Sequence, residues 1–387
     1  MLAKRRKVNF SYVPSKIENG EKVNRIYLPV DICFGEKVLN TNGDAICGLG
    51  QKPMLVTGKK SAITSGALDD VVSLLKSSDK EYFIFNEITE NPDLDTIDRA
   101  INLFVENKCD YAIGIGGGSP LDASKAIALG AANRLRAKDL YDVANHHQCY
   151  PIIAVPTTSG TGSEVTQYSV LSDNEAKKKA GFTSFLVFPI VAYIDPQYTL
   201  SVPPIVTRDT AIDALSHLLE GLYSNTRNRL LFPFIYEGIK LIVHNLKDLL
   251  GDLRNLDLRE KMMRASLYGG IAIAHSGTTL QHAIGYPLTS ELGLSHGMAN
   301  GVAMKAIMEL FYPSVKEGLD EMFRQLNMSK EEFYDWLDSL DLIYDGQITE
   351  EFIEAKYDEV MQSRNMGNNP FEVNAEQVKE VYRKIGR

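Results

Sequence analysis

The spacing of apolar residues divides the chain into two parts. Through about residue 198, short apolar runs recur: PMLVTG (53–58), YFIFNEI (82–88), YAIGIG (111–116), IIAVPTT (152–158) and VAYID (191–195). Stretches of helical period such as LDDVVSLLKS (68–77) and LDTIDRAINLFVEN (94–107) separate them. Runs of this length, alternating with helices, predict βαβ units and a parallel sheet. Beyond residue 198 strand signals stop. RLLFPFIYEGIKLIVHNLKDLL (229–250) and EKMMRASLYGGIAIAH (260–275) carry helical periodicity instead, broken by Gly and Pro. The pattern predicts an α/β domain over 1–198 and an all-helical domain over 199–387, with the boundary between Asp195 and Pro204. There is no internal repeat and no low-complexity linker, so the two parts are expected to pack closely.

Two of the predicted strands run into loops suited to a nucleotide. In DYAIGIGGGSPLDASKAIAL (110–129) the strand turns through Gly116, Gly117 and Gly118, and a helix is expected with Ser119 as its cap and Pro120 as its first residue. Glycines allow close backbone approach, and the free N–H groups and dipole of a helix N-terminus attract phosphate. GGGS is neither G-x-G-x-x-G nor a P-loop, and a plain capped turn has the same form. The strand in PIIAVPTTSGTGSEVTQYSVLSD (151–173) is followed by Thr157, Thr158, Ser159, Gly160, Thr161, Gly162 and Ser163. Such small hydroxylic residues, at the carboxyl edge of a parallel sheet, offer hydrogen bonds to sugar and phosphate oxygens.

The second half carries metal-ligand chemistry. Asp213 and His217 lie four apart in TRDTAIDALSHLLEGLYS (207–224), so both leave one helix face a turn apart. His282 in TTLQHAIGYPL and His296 in LGLSHGMANG follow, with Gly285 and Pro287 expected to end one helix before the next begins. One carboxylate with three imidazoles suits Fe(II), Zn(II), Co(II) or Ni(II) and is poorly matched to Ca(II) or Mg(II). An acid and an imidazole four apart also form ordinary solvated ion pairs, so spacing alone leaves both readings open.

Composition narrows the partners. The chain has 387 residues, 44% hydrophobic, with formal net charge −9, which argues against a nucleic-acid partner. No apolar run approaches the roughly 18 to 20 residues of a membrane span. Lys4, Arg5, Arg6 and Lys7 read as a solvated basic arm, without the apolar segment of a signal peptide. Cys33, Cys47, Cys109 and Cys149 show no CxxC spacing, consistent with reduced thiols and a cytoplasmic location.

Taken together, GGGSPLDASK, PTTSGTGSEVT, DALSHLLEG and HAIGYPL with LSHGMANG resemble the iron-containing (group III) alcohol dehydrogenases, which include butanol and propanediol dehydrogenases. The resemblance runs from LPVDICFGEKVL, near residue 28, to the C-terminus, leaving 1–25 as an extra N-terminal segment. It implies a dehydroquinate-synthase-like architecture: a Rossmann-like parallel-sheet domain, a helical metal-binding domain and an active site in the cleft between them. It implies Asp213, His217, His282 and His296 as ligands of Fe(II), or of Zn(II) or another divalent transition metal. It also implies NADP or NAD as coenzyme, contacted by Gly58, Gly116, Gly117, Gly118, Ser119, Asp122, Thr157, Thr158, Ser163 and Lys178, a small alcohol or aldehyde as substrate, and a homodimer or larger homo-oligomer. A divalent metal would acidify an alcohol hydroxyl and polarise a carbonyl while hydride passes to or from the nicotinamide.

Three positions decide finer points. Many members of the resembled family carry a His four residues after the third ligand, in a proton relay; this chain has Tyr286 there, either ordering a water chain or acting only as a cleft-wall aromatic. His275 is a second relay candidate. At the end of the first predicted strand, where an acidic residue would accept the ribose 2′-hydroxyl of NAD, the chain has Gly58 followed by Lys59 and Lys60, so NADP is the preferred coenzyme. A glycerol-dehydrogenase-like polyol oxidoreductase and a dehydroquinate-synthase-like lyase are the alternatives. The former usually lacks one of the four ligands, and the latter usually has Glu where this chain has Asp213.

Overall fold

The computed structural model describes residues 24–175 and 178–385; the basic cluster Lys4 to Lys7 and the side chain of Lys178 lie outside what is described. The strands are β1 (Asp31–Phe34), β2 (Pro53–Gly58), β3 (Phe83–Ile88), β4 (Tyr111–Gly116), β5 (Ile152–Pro156), β6 (Tyr168–Asp173), β7 (Lys178–Thr183) and β8 (Val191–Ile194). Six form a parallel sheet in the order β1-β8-β5-β4-β2-β3. The first half also carries α1 (Val38–Asn42), α2 (Asp44–Gly48), α3 (Ser61–Thr64), α4 (Ala67–Ser77), α5 (Leu94–Glu106) and α6 (Gly118–Asn133). β4 and β5 are buried along their whole length, as expected of central parallel strands covered on both faces.

Two features of this half carry no strand signal in the sequence. β1 is a four-residue edge strand, DICF, too short to stand out from its surroundings, and its register comes from pairing with β8. β6 and β7 form an antiparallel hairpin outside the main sheet. Its second strand, KKAGFT, is poor in β-branched residues, so cross-strand pairing rather than propensity holds it. The glycine turn also differs from expectation. α6 starts at Gly118 with Gly117 as its cap, two residues earlier than Ser119 and Pro120. The chain turns at Gly116, whose φ is 149° and where a Cβ would lie 2.6 Å from Pro120 Cγ. Ser119 Oγ instead accepts from the Asn91 N–H at 3.2 Å.

The second half comprises α7 (Pro204–Tyr223), α8 (Phe232–Gly251), α9 (Leu256–Ser276), α10 (Leu280–Leu292), α11 (His296–Leu326), α12 (Lys330–Asp338), α13 (Glu350–Met361) and α14 (Ala375–Lys384). From Ala211 to Tyr223 every residue of α7 is buried, because α8, α9 and α11 pack around it; a helix covered on all sides sits at the centre of its bundle. α10 does not end at Gly285 or Pro287. It continues to Leu292 and stops at Gly293, φ 68°. Leu280, Ile284 and Leu288 are anchored in the helical core, and this packing outweighs the hydrogen bond lost at Pro287. The halves meet where Leu121, Val165, Ala192 and Ile194 pack against Met263 and Leu267 of α9.

Candidate metal centre and nucleotide cleft

The centre of the helical bundle brings together one carboxylate and three imidazoles. α7 supplies Asp213 and His217, α10 supplies His282, and His296 is the first residue of α11. Asp213 Oδ1 lies 3.9 Å from His217 Nε2, 3.7 Å from His282 Nε2 and 3.6 Å from His296 Nε2. The Nε2 atoms of His217 and His282 are 3.1 Å apart. Ligand atoms about 2.1 Å from a tetrahedral ion sit roughly 3.4 Å from one another, so these spacings suit one ion. Asp213, His217 and His282 form the tightest group and are 3%, 4% and 2% exposed; His296 closes the fourth side, from the cleft.

A second set of residues orients these ligands. Glu220, fully buried, accepts from His282 Nδ1 at 2.5 Å and from the N–H and hydroxyl of Thr279 at 2.6 and 2.9 Å. That contact places the His282 proton on Nδ1 and turns the Nε2 lone pair towards Asp213. Asn300 Nδ2 donates to Asp213 Oδ1 at 3.0 Å, fixing the carboxylate. Among the described residues, neither Asp213 nor Glu220 forms an ion pair with Lys or Arg. Two buried carboxylates without a Lys or Arg partner, set among three imidazoles, suit a bound cation, and the donor set fits a divalent transition metal.

Electrostatics agree. Burial holds the His217 imidazole below its usual pKa against the pull of Asp213. Burial, and then Lys179, hold His296 well below it. Both rings therefore present lone pairs at neutral pH. Burial also pulls His282 down, but Glu220 and Asp213 outweigh it and push the pKa up to about 9. For Asp213 burial is the largest influence and raises the pKa, yet the three imidazoles together bring the carboxyl well below the usual range.

Tyr286 stacks on His296, ring centroids 5.9 Å apart and planes within 9°, with the ammonium of Lys179 6.0 Å from its ring centre. Burial raises its phenol far above the ordinary value, so the geometry makes it a wall of the site. His275 is committed elsewhere: Nδ1 donates to the Ile271 carbonyl at 2.7 Å, and Nε2 accepts from the Tyr27 N–H at 3.0 Å. With both ring nitrogens engaged it has no free position for proton relay, contrary to the expectation from sequence.

A cavity of about 1210 Å³ runs from the sheet edge to this centre, larger than the roughly 300 to 1000 Å³ of a typical small-ligand site. Gly58, Gly117, Gly118, Ser119, Asp122, Thr158 and Ser163 line it from the first half, and Asp213, His217, His282, Tyr286 and His296 from the second. Gly116 and Thr157 lie one layer behind: both are buried, and the Thr157 N–H donates to the Gly116 carbonyl at 2.9 Å. Lys178 is a β7 position whose side chain is not described. The start of α6 has no side-chain cap, which leaves its first N–H groups for a ligand.

Beneath this loop lies a polar network that sequence reasoning missed. Lys125, fully buried, donates to Ser163 Oγ at 2.7 Å, Thr166 Oγ1 at 3.3 Å and the Tyr168 carbonyl at 2.7 Å. Ser163 Oγ in turn donates to Asp122 Oδ1 at 2.5 Å, while Asp122 Oδ2 accepts from the Val170 N–H at 2.9 Å. Burial lowers the Lys125 pKa to about 8 and raises that of Glu164 to about 7. The network ties α6 to the loop after β5. Lys125 is the eighth residue of α6, and nothing in its spacing marks it as buried. Glu220 carried a clearer signal, standing seven after Asp213 and three after His217 on the same helix face.

Comparison with known proteins bears on both halves. The family model described as iron-containing alcohol dehydrogenase matches residues 29–196, and its C-terminal counterpart matches 207–386. The crystal structure of an iron-containing alcohol dehydrogenase from Thermotoga maritima is 36% identical and superimposes with a TM-score of 0.88, covering 94% of this chain and 99% of that one. The long-chain-alcohol dehydrogenase 1 of Geobacillus thermodenitrificans is 32% identical over 282 residues, 72% of this chain and 71% of the relative. The 1,3-propanediol dehydrogenase of Klebsiella pneumoniae is 34% identical over 260 residues, 66% of each.

Proposed function

The chain belongs to the iron-containing alcohol dehydrogenase family, and from that premise we propose that it transfers hydride between a small primary alcohol or aldehyde and NADP, with Asp213, His217, His282 and His296 holding one Fe(II) ion. The family is one of oxidoreductases that use NAD(H) and a divalent metal, typically iron. The observation that carries the reading is the convergence of three Nε2 atoms on Asp213 Oδ1 in a cavity shared with the open start of α6. An ion there would acidify an alcohol hydroxyl and polarise an aldehyde carbonyl. The remaining tasks belong to the chain. Glu220 and Asn300 hold the ligand side chains in register, Tyr286 and His296 form a flat wall against which a substrate can lie, and the α6 start holds the coenzyme phosphates. A panel of alcohols and aldehydes with iron-loaded protein and each coenzyme, followed by the absorbance of the reduced nicotinamide, tests this; no turnover of any member would contradict it.

NADP is preferred because Gly58 lines the cavity at the end of β2 without a carboxylate to repel a 2′-phosphate, and exposed Lys59 and Lys60 follow. Gly58→Asp should lower the ratio of kcat/KM for NADP to that for NAD by about 5- to 150-fold, one well-placed charge against a phosphate. The site accepts the side chain with a small adjustment, since a Cβ would meet only the Ile88 carbonyl at 3.2 Å and Ser61 Oγ at 3.9 Å. Steady-state kinetics with both coenzymes decide it: a wild type that favours NAD, or an unchanged ratio, would refute the assignment.

Glu220→Gln should weaken metal binding by about 10- to 100-fold, the usual cost of losing a partner that orients a ligand. Gln keeps an acceptor for His282 Nδ1 but no longer accepts from Thr279 with the same charged group. Competition with a chromogenic chelator measures it; equal affinity in variant and wild type would show that Glu220 does not orient the ligand.

A further inference from the structure

One loop touches both halves of the proposed site. It runs from Thr157 to Gln167, between β5 and β6, and the start of α6 rests on its hydroxylic side chains. A Cβ at Gly117 would lie 3.2 Å from Thr158 Oγ1, and one at Gly118 would lie 2.6 Å from Thr161 Cγ2. Lys125 and Asp122 of α6 hold the same loop through Ser163. On its other side the loop lies against the helices of the metal centre. At Gly160 a Cβ would lie 2.7 Å from Thr210 Cβ and 2.8 Å from the Thr210 carbonyl oxygen, three residues before Asp213 on α7. The backbones of Gly162 and Gly270 meet so closely that neither position has room for a side chain. Gln167 Nε2 donates to the Ala274 carbonyl at 2.8 Å, and the Tyr168 hydroxyl donates to the Ile273 carbonyl at 3.1 Å, fastening the end of the loop to α9. Packed this tightly, the loop cannot shift at α6 without also shifting at α7.

The loop also faces a ligand side chain. With Nε2 of His217 directed at Asp213 and His282, Nδ1 carries the proton of the neutral ring. That N–H is buried without a partner in hydrogen-bonding geometry, and the acceptor it approaches, outside that geometry, is the Gly160 carbonyl. His282 differs, since Glu220 already accepts from its Nδ1. A metal-bound imidazole gains basicity and a fixed orientation when its second N–H is accepted, so a small advance of Gly160 would complete the surroundings of His217. It would also remove the cost of a buried, unmade hydrogen bond.

We propose that this loop couples the two sites: a coenzyme phosphate held by the start of α6, Thr158 and Thr161 seats the Gly160 carbonyl on His217 Nδ1, so that coenzyme tightens the metal and metal tightens the coenzyme. Gly160 is a positioning residue in this scheme, acting through His217. The two effects are equal by thermodynamic necessity. The proposal rests on the metal and coenzyme sites described above and adds the connection between them. A chain without coenzyme is then the form most easily stripped of its metal.

The test uses Co(II), whose visible absorption reports the arrangement of its ligands. Its dissociation constant is measured by chelator competition alone and with saturating NADPH or NADH, and that of the reduced coenzyme by its fluorescence with and without Co(II). No substrate is present and no turnover is needed. Wild type should show a gain of about 5- to 150-fold, the same in both directions, and coenzyme should alter the Co(II) spectrum. In Gly160→Ala the added methyl forces the loop off α7, and the gain should fall towards unity while both ligands still bind. Lys125→Met, which cuts the tie between α6 and the loop from outside the cavity, should lower the gain in the same way and serves where Gly160→Ala fails to fold. A wild type whose metal affinity is indifferent to coenzyme would overturn the proposal while leaving the oxidoreductase reading standing. A gain kept intact in the variants would also overturn it, showing that the two ligands act on each other directly across the cavity. Failure of wild type to bind either ligand would overturn both readings.

Discussion

Replacing His282 by Ala should remove the metal and lower turnover by at least about a thousandfold, since a Lewis acid contributes several kcal/mol to stabilising the charge that develops during hydride transfer. His282 is the ligand most enclosed by other groups, with Glu220 on one side and Asp213 and Asn300 on the other. Its removal leaves Glu220 buried without its imidazole, so the variant should also melt earlier. His217→Ala separates the two effects, because it removes a ligand without stranding Glu220. Metal content by atomic emission alongside circular dichroism checks both: folded variants with one equivalent of metal and normal rates would show that these side chains are not ligands. Acidification should act in the same direction. His282, with its pKa pushed up to about 9, holds a proton at neutral pH in the metal-free protein, and an incoming ion must displace it. Apparent metal affinity should therefore rise with pH until about 9 and fall steadily below it, faster once the other imidazoles also protonate. Metal retention that is unchanged at strongly acidic pH would count against histidine ligation.

Gly297→Ala should be the most disruptive single methyl in the helical half. A Cβ at Gly297 would lie 1.7 Å from the carbonyl oxygen of Asp209 and 2.5 Å from its carbonyl carbon. Both are backbone atoms of α7, so no side-chain rotation relieves the clash, and the start of α11 must move away from α7. His296 is the neighbouring residue and Ser295 donates to the Asp209 carboxylate, so the displacement pulls the fourth ligand away from Asp213. A loss of about 3 kcal/mol or more is expected from overpacking at a backbone contact, with metal affinity falling as well. Gly251→Ala is the control, since nothing lies within 4 Å of a Cβ there, and it should change stability by less than about 1 kcal/mol. Chemical denaturation of the two variants with metal bound decides between them; similar midpoints would mean that the helices are not held in this close contact.

The legible and the hidden parts of the molecule differ for physical reasons. The apolar runs that became β2, β4, β5 and β8 stood out because a parallel strand covered on both faces must be apolar nearly throughout; the fifth became the half-exposed edge strand β3, marked by Phe83, Ile84, Phe85 and Ile88. The edge strand β1 and the β6–β7 hairpin escaped notice because pairing partners, not composition, make them strands. Asp213, His217, His282 and His296 stood out since carboxylate and imidazole are out of place in buried helices. Helix ends were less legible: the continuation of α10 through Pro287 is a tertiary effect, invisible to a local rule that treats proline as a stop. Lys125 and Asn300 were hidden because each acts through a partner distant in sequence, whereas Glu220 shares the helix face of Asp213 and His217. His275 illustrates the converse, an imidazole that looks available until its two backbone partners are seen.

The measurement that bears most directly on the whole account is a titration of chelator-stripped protein with Fe(II) under anaerobic conditions, in the presence of NADP and a small alcohol, with the rate of nicotinamide reduction followed at each addition. The rate should be near zero without metal, rise in proportion to added iron and level off at one ion per chain. Full activity in the stripped protein, or a rate indifferent to added metal, would contradict it.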